Sequence, residues 1–288
     1  MKLASNEPVM AWPAKQGHGS RALGGVRVPL PGEHGAWFML FTCLALGTVV
    51  GGRPALATIP YAVSTFFTFA LREPLYLVAR ARSEEERQAM RSWAAGFGAA
   101  ALVSGALAAL AFGRWLLIPL GAMAAVGLAG SVYLRNRRLG RTVVGELADL
   151  VLLTAVAPGA YYVSVGDAWL PQTFVALWLL TYLYYGGTVF YVKLKAAQAV
   201  VKPAGFLQKL ALGWQALAYQ GLAIAVVYAL RWLIGDLELA YVAFLPGFLK
   251  VCTGTFHAPR RVNFKQVGYT EVLMATIFAA IIAIAFRA

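Results

Sequence analysis

The chain alternates long apolar tracts with short polar connections, most of them basic. A helix needs roughly 20 residues to cross the hydrocarbon core of a bilayer. Tracts near that length run over 35–51, 54–79, 92–112, 115–134, 147–166, 169–192, 210–230, 239–256 and 268–286. They predict an all-α membrane bundle of about nine transmembrane helices, with the first and eighth tracts the shortest. Several are rich in Ala and Gly, as in AAGFGAAALVSGALAALAF at 94–112, a composition that lets helix backbones approach closely. The connections at 113–115 and 165–169 are so short that the helices they join must be antiparallel neighbours. Residues 1–28 carry prolines and glycines without a compact apolar run. They predict a flexible cytoplasmic tail and no signal peptide, ahead of a single domain over 29–288.

Composition sharpens this picture. The 288 residues are 60% hydrophobic and 13% charged, against about 25% charged in an ordinary soluble domain, and the mean hydropathy is +0.67. A formal charge of +13 suggests a nucleic-acid partner until the charges are placed along the chain. With the N-terminus inside, twenty of the 25 Lys and Arg residues fall in the predicted inner segments. Only Arg53, Arg114, Arg231 and Arg287 fall at outer ends, and Arg72 lies within a tract. That asymmetry is the positive-inside bias of a multi-pass protein. A basic inner face is drawn to anionic lipid, so membrane lipids are the expected partners and nucleic acid is not. The expected location is the bacterial cytoplasmic (inner) membrane, with the C-terminus outside. Cys43 and Cys252 both lie in apolar tracts, so they predict neither a disulfide scaffold nor a zinc site.

Candidate chemistry gathers where charge enters apolar sequence. In FFTFALREPLYLVAR, Arg72 stands about 12 Å along the helix from Arg80 at 1.5 Å per residue. A charge at that depth is costly unless it is paired, reaches the interface or faces a wet cavity. Arg72 with Glu73 therefore predicts an anion-binding position that opens to the inner face, and Pro74 predicts a kink or break beside it. Glu146 and Asp149 stand three apart and share a helix face. They could pair with basic residues of another helix, or hold Mg²⁺, or serve only the helix dipole. Glu271 is a candidate partner for Arg72 or Lys193. Tyr184, Thr188, Tyr191 and Lys195 follow at spacings of four, three and four, so they share a face. Lys193 and Lys195 suit an anionic headgroup or the helix C-terminus, and Gly186 and Gly187 admit a close neighbour. Glu33 and His34 stand at the mouth of the first tract, and His34 is the expected proton-transfer group because imidazole titrates near neutrality. His257 precedes Pro259, Arg260 and Arg261 at the inner end of the eighth tract. The three histidines form no metal set, and the sequence identifies no cofactor.

Three of these segments carry a resemblance. GEHGAWFMLF at 32–41 resembles the N-terminal signature of the YwiC-like family of bacterial membrane proteins, with Glu33 where that family usually has Gln. GGTVFYVKLKAA at 186–197 is similar to that family's Gly-Thr-Val-x-Tyr-Val-Lys segment, and RRVNFKQVGYTEV at 260–272 resembles its closing helix. Helix number and the larger inner connections are also similar in topology to UbiA-type intramembrane prenyltransferases. That likeness implies a diphosphate site at the inner ends of the second and sixth helices. The Asp-rich motifs of those enzymes are missing from LREPLYLVAR and GTVFYVKLK, so any diphosphate would rest on Arg72, Lys193 and Lys195 directly.

The expected function is binding of an anionic amphipathic or lipid-linked molecule in a cytoplasm-facing cavity, with a UbiA-like lipid or isoprenoid enzyme that lacks the usual Asp-rich motifs left open. A small-molecule transporter and a non-catalytic membrane assembly partner are the alternatives. Charged positions that penetrate apolar sequence all lie toward the inner face, which argues against a proton pump or ion channel.

Overall fold

A computed structural model describes residues 28–32, 34–201, 203, 205–234, 239–257 and 262–287, the side chains of His34 and residues 231–234 excepted. Among the described residues all regular structure is helical. The order is α1 (His34–Val50), α2 (Thr58–Val78), α3 (Glu84–Ala106), α4 (Leu117–Asn136), α5 (Val143–Thr154), α6 (Val156–Val165), α7 (Pro171–Val201), α8 (Phe206–Ile234), α9 (Leu245–Phe256) and α10 (Phe264–Ala285). A π-helical turn, Leu107–Ala111, extends α3. Only Ala155 separates α5 from α6. Pro158 lacks the N–H that would bond the Thr154 carbonyl, so an uninterrupted ladder cannot form there.

The apolar tracts of the sequence thus become helices, the tract at 147–166 forming two, α5 and α6. Among the described residues six helices are long and apolar enough to cross a membrane, and Gly35–Val50 and Val242–Phe256 are shorter apolar helices. The protein is a polytopic membrane protein. Three boundaries differ from the sequence reading, each for a local reason. Helix α3 starts at Glu84 because Ser83 caps it, its hydroxyl accepting from the Glu86 N–H at 3.1 Å. Helix α7 continues to Val201, beyond the tract at 169–192, because its C-terminal polar residues are held by other helices. Helix α2 runs through Pro74 without the expected break, and Pro74 is buried.

Helix α7 is the axis of the bundle. It is the most buried of the six long apolar helices, and it packs on α5, α6, α8 and α9. Helices α2 and α3 form a long hairpin at one side, while α1 packs on α6 and α10. Gly186 and Gly187 make the α7–α8 approach possible: a Cβ at Gly186 would fall on the Tyr219 hydroxyl, and one at Gly187 would lie 2.5 Å from Gln220 Oε1. A neighbouring helix therefore fills the space that the glycine pair opens.

Antiparallel neighbours bring the ends of α2, α4, α7 and α9 together with the starts of α1, α3, α5, α8 and α10. Side-chain contacts at Trp37–Phe69 and Lys209–Phe256 fall at this end. Arg114 with Val163 and Arg287 with Val49 close the opposite end. The inter-helix ion pairs among the described residues lie at the first of these ends.

Candidate functional site

Arg72 and Glu73 are adjacent in sequence but serve different helices. The Arg72 guanidinium lies 3.4 Å from Asp149 Oδ2 on α5, with the two side chains 15% and 23% exposed. Glu73 Oε2 accepts from Arg135 Nη1 of α4 at 2.8 Å. The Arg135 guanidinium also covers the Tyr76 ring, 4.0 Å from its centroid, a cation–π contact that places it against α2. Asp149 shares its face of α5 with Glu146. Glu146 in turn accepts from Lys193 of α7 at 3.0 Å, and Lys193 also donates to the Arg141 carbonyl at 2.9 Å. Thr142 caps this start of α5, accepting from the Gly145 N–H at 3.1 Å. Three ion pairs therefore run from α4 through α2 and α5 to α7. Glu146 and Asp149 thus both pair with basic side chains of other helices, and Glu146 also stands in the first turn of α5. Among the described residues no group of His, Cys, Asp and Glu could hold a metal ion.

A second polar group lies on the other side of α7. Tyr184, Thr188, Tyr191 and Lys195 do share a face, and all four are buried. Lys195 donates to the Gly254 carbonyl at 2.7 Å and to Gln198 Oε1 at 3.0 Å. Gln198 donates to the same carbonyl at 2.9 Å, and Lys209 to the Phe256 carbonyl at 3.0 Å. The last carbonyls of a helix have no intrahelical donor and carry the negative end of its dipole. Lys195, Gln198 and Lys209 thus supply the C-terminus of α9 with donors and positive charge. The sequence leaves Lys195 to an anionic headgroup or to the C-terminus of its own helix; in the fold it bonds the C-terminus of a neighbouring one.

Glu271 pairs with neither Arg72 nor Lys193. Its Oε1 accepts from Lys250 Nζ of α9 at 2.7 Å, and the two side chains are 15% and 7% exposed. Lys250 is the cation in reach because α9 packs on both α7 and α10. Lys250 and Lys195 both face the Tyr191 ring, 4.6 Å and 5.4 Å from its centroid. Gly254 lets that ring come close: a Cβ there would lie 2.6 Å from it. Two buried ammonium groups and one carboxylate therefore surround one phenol. In the sequence, Lys250 and Arg135 contribute only to the inner-end basic bias. The signal was legible for Lys250, which sits inside the apolar run LPGFLKVCTGTF as Arg72 does in its own.

Arg72 and Tyr191 thus belong to separate groups, each closed largely by its own partners. Thr188 bonds within its helix to the Tyr185 carbonyl at 2.8 Å. His257 is exposed where α9 ends. Glu33 lies outside the described residues, as does the side chain of His34. A cavity of about 270 Å³ lies at the opposite end of the bundle, lined by apolar residues including Leu116, Met123, Trp169 and Phe174. None of the candidate site residues lines it.

Residues 30–161 match the family model described as YwiC-like protein. The match covers under half of the chain, from the segment that leads into α1 as far as α6. It takes in the GEHGAW segment and Arg72, Glu73, Arg135, Glu146 and Asp149, so most of the α2–α4–α5 ion-pair network lies within the YwiC-like region. The Tyr191, Lys195, Lys250 and Glu271 group lies beyond it, as do the two later segments that resemble the same family. No curated protein and no solved structure matches the chain. The topological likeness to UbiA-type prenyltransferases gains no support from these comparisons.

Proposed function

We propose that this protein binds an anionic amphipathic or lipid-linked molecule between α7, α9 and α10, at the end of the bundle that faces the cytoplasm. The observation that carries this reading is the charge balance around Tyr191. Lys195 and Lys250 are both buried there, while Glu271 is the single carboxylate paired with them among the described residues. Lys195 takes only neutral oxygens as acceptors. The α9 dipole offsets part of its charge, and a phosphate or carboxylate headgroup would offset the rest through charge-assisted hydrogen bonds. Arg72, by contrast, already faces Asp149, so in this reading it ties helices together. The reading carries no catalytic step. It extends YwiC-like membership to the whole chain on the motif segments at 186–197 and 260–272, and puts the N-terminus inside the bacterial cytoplasmic membrane on the charge asymmetry.

The test uses the purified full-length protein in detergent, titrated with short-chain anionic and zwitterionic phospholipids while thermal unfolding is followed. Anionic lipid should raise the midpoint and zwitterionic lipid should not. Lys195→Gln keeps a donor for the Gly254 carbonyl but removes the charge, so it should stay folded and lose about tenfold in anionic-lipid affinity. Equal stabilisation by both lipid classes would remove this function.

A further inference from the structure

Two buried polar atoms in this region have no hydrogen-bond partner among the described residues: the Tyr184 hydroxyl and Glu271 Oε2. Tyr184 is 3% exposed. Its ring is fixed by stacking on Phe278 with centroids 3.9 Å apart, and by an edge contact with Phe244. Phe278 stands seven residues after Glu271, so the two residues share a face of α10. Lys250 holds the other oxygen of Glu271, which limits how the carboxylate can turn. A buried polar group left unpaired is costly, and native structures rarely keep one without a use. Glu271 is the one carboxylate so placed among the described residues.

The chemistry of the two atoms restricts what could meet them. An ionised carboxylate oxygen only accepts, while a phenol can donate and accept. The partner of Glu271 Oε2 must therefore bring a donor. An ammonium donor is disfavoured, because Lys195 and Lys250 already give the group a positive excess. A neutral hydroxyl satisfies both conditions. We propose that Glu271 and Tyr184 bind a hydroxyl of the ligand, so that the ligand is a phosphodiester bearing a polyol headgroup. Lys195 and Lys250 hold its anionic part, and here the inference rests on the proposed function; the hydroxyl position is what it adds.

The experiment compares two short-chain lipids of equal charge and equal tails on the full-length protein. Dihexanoyl-phosphatidylglycerol carries free hydroxyls, and dihexanoyl-phosphatidylmethanol carries none. The wild type should prefer the first by about tenfold or more, since a site built for a hydroxyl rejects the analogue without it. Tyr184→Phe removes a hydroxyl with no hydrogen-bond partner among the described residues, so it should keep the thermal midpoint while most of the preference is lost. Glu271→Gln keeps a carbonyl for Lys250 and should lose the preference as well. Equal affinity for the two lipids in the wild type, or a preference kept in both variants, overturns the hydroxyl site and leaves anion binding standing. Failure of both lipids to bind overturns the proposed function itself. Glycerol phosphate bound as tightly as the lipid supports the hydroxyl site and overturns the lipid source.

Discussion

Lys250 on α9 and Glu271 on α10 are joined at 2.7 Å in a setting where neither side chain is more than 15% exposed. Removing one partner from such a buried pair leaves an uncompensated charge, at a cost of about 3–5 kcal/mol. Lys250→Met alone and Glu271→Leu alone should therefore each destabilise strongly. The double variant should recover much of the loss, because both charges are gone together. Denaturant unfolding in mixed micelles measures the cycle, and purely additive losses would show that the pair is not a unit.

A second pair should behave more mildly. Glu73 and Arg135 are 16% and 27% exposed, and the Tyr76 ring continues to hold Arg135 when the carboxylate is neutralised. Glu73→Gln should cost about 1–3 kcal/mol, the range for losing a charge-assisted hydrogen bond. Adding Tyr76→Leu should cost more than the two single changes summed, since each partner then loses its substitute. Unfolding midpoints of the three variants decide this, and a Glu73→Gln protein as stable as the wild type would show the pair to be idle.

These pairings mark how far the sequence could be read. Apolar tract length located the rods, because a helix that crosses the hydrocarbon core needs an apolar run of roughly 20 residues whatever packs against it. Arg72 stood out because a lone guanidinium in FFTFALREPLYLVAR has no local explanation. Its partner was not legible: Asp149 is distant in sequence, and spacing within a tract carries no information about which helices adjoin. Glu271 shows the same limit, since choosing Lys250 over Lys193 requires knowing that α9 packs on both α7 and α10. The periodic face from Tyr184 to Lys195 was legible because one helix contains it. That Lys195 caps a different helix was not.

The α9 C-terminus offers a test of that cap. Gln198 Nε2 and Lys195 Nζ both donate to the Gly254 carbonyl, and Gln198 is 1% exposed. Gln198→Ala should cost about 1–3 kcal/mol through the weakened bonding of buried carbonyls. The loss should be local, so hydrogen exchange should quicken around 252–257 before it quickens in α5. Uniform acceleration across the bundle would contradict a capping role.

Close packing of α7 on α8 predicts an overpacked variant. A methyl at Gly186 meets the Tyr219 hydroxyl, so Gly186→Ala should cost about 1–3 kcal/mol. Tyr219→Phe alone should be near neutral, because that hydroxyl has no partner among the described residues. Combining Gly186→Ala with Tyr219→Leu should restore part of the stability by clearing the contact. If Gly186→Ala unfolds at the wild-type midpoint, the two helices lie further apart than this packing requires.

Orientation can be settled with single cysteines in a background where Cys43 and Cys252 are replaced by Ser. The ion-paired end of the bundle carries Glu85 before the body of α3 and Leu139 between α4 and α5, both exposed. The opposite end carries Arg53 and Asp167, also exposed. On the orientation proposed from the basic bias, the first end would face the cytoplasm. A membrane-impermeant maleimide should therefore label Arg53→Cys and Asp167→Cys in intact cells, and reach Glu85→Cys and Leu139→Cys only after permeabilisation. The reverse pattern would put Lys195, Lys250 and Glu271 on the outer side. A ligand reaching them would then have to come from the outer leaflet, which separates the orientation from the binding chemistry and tests each by its own measurement.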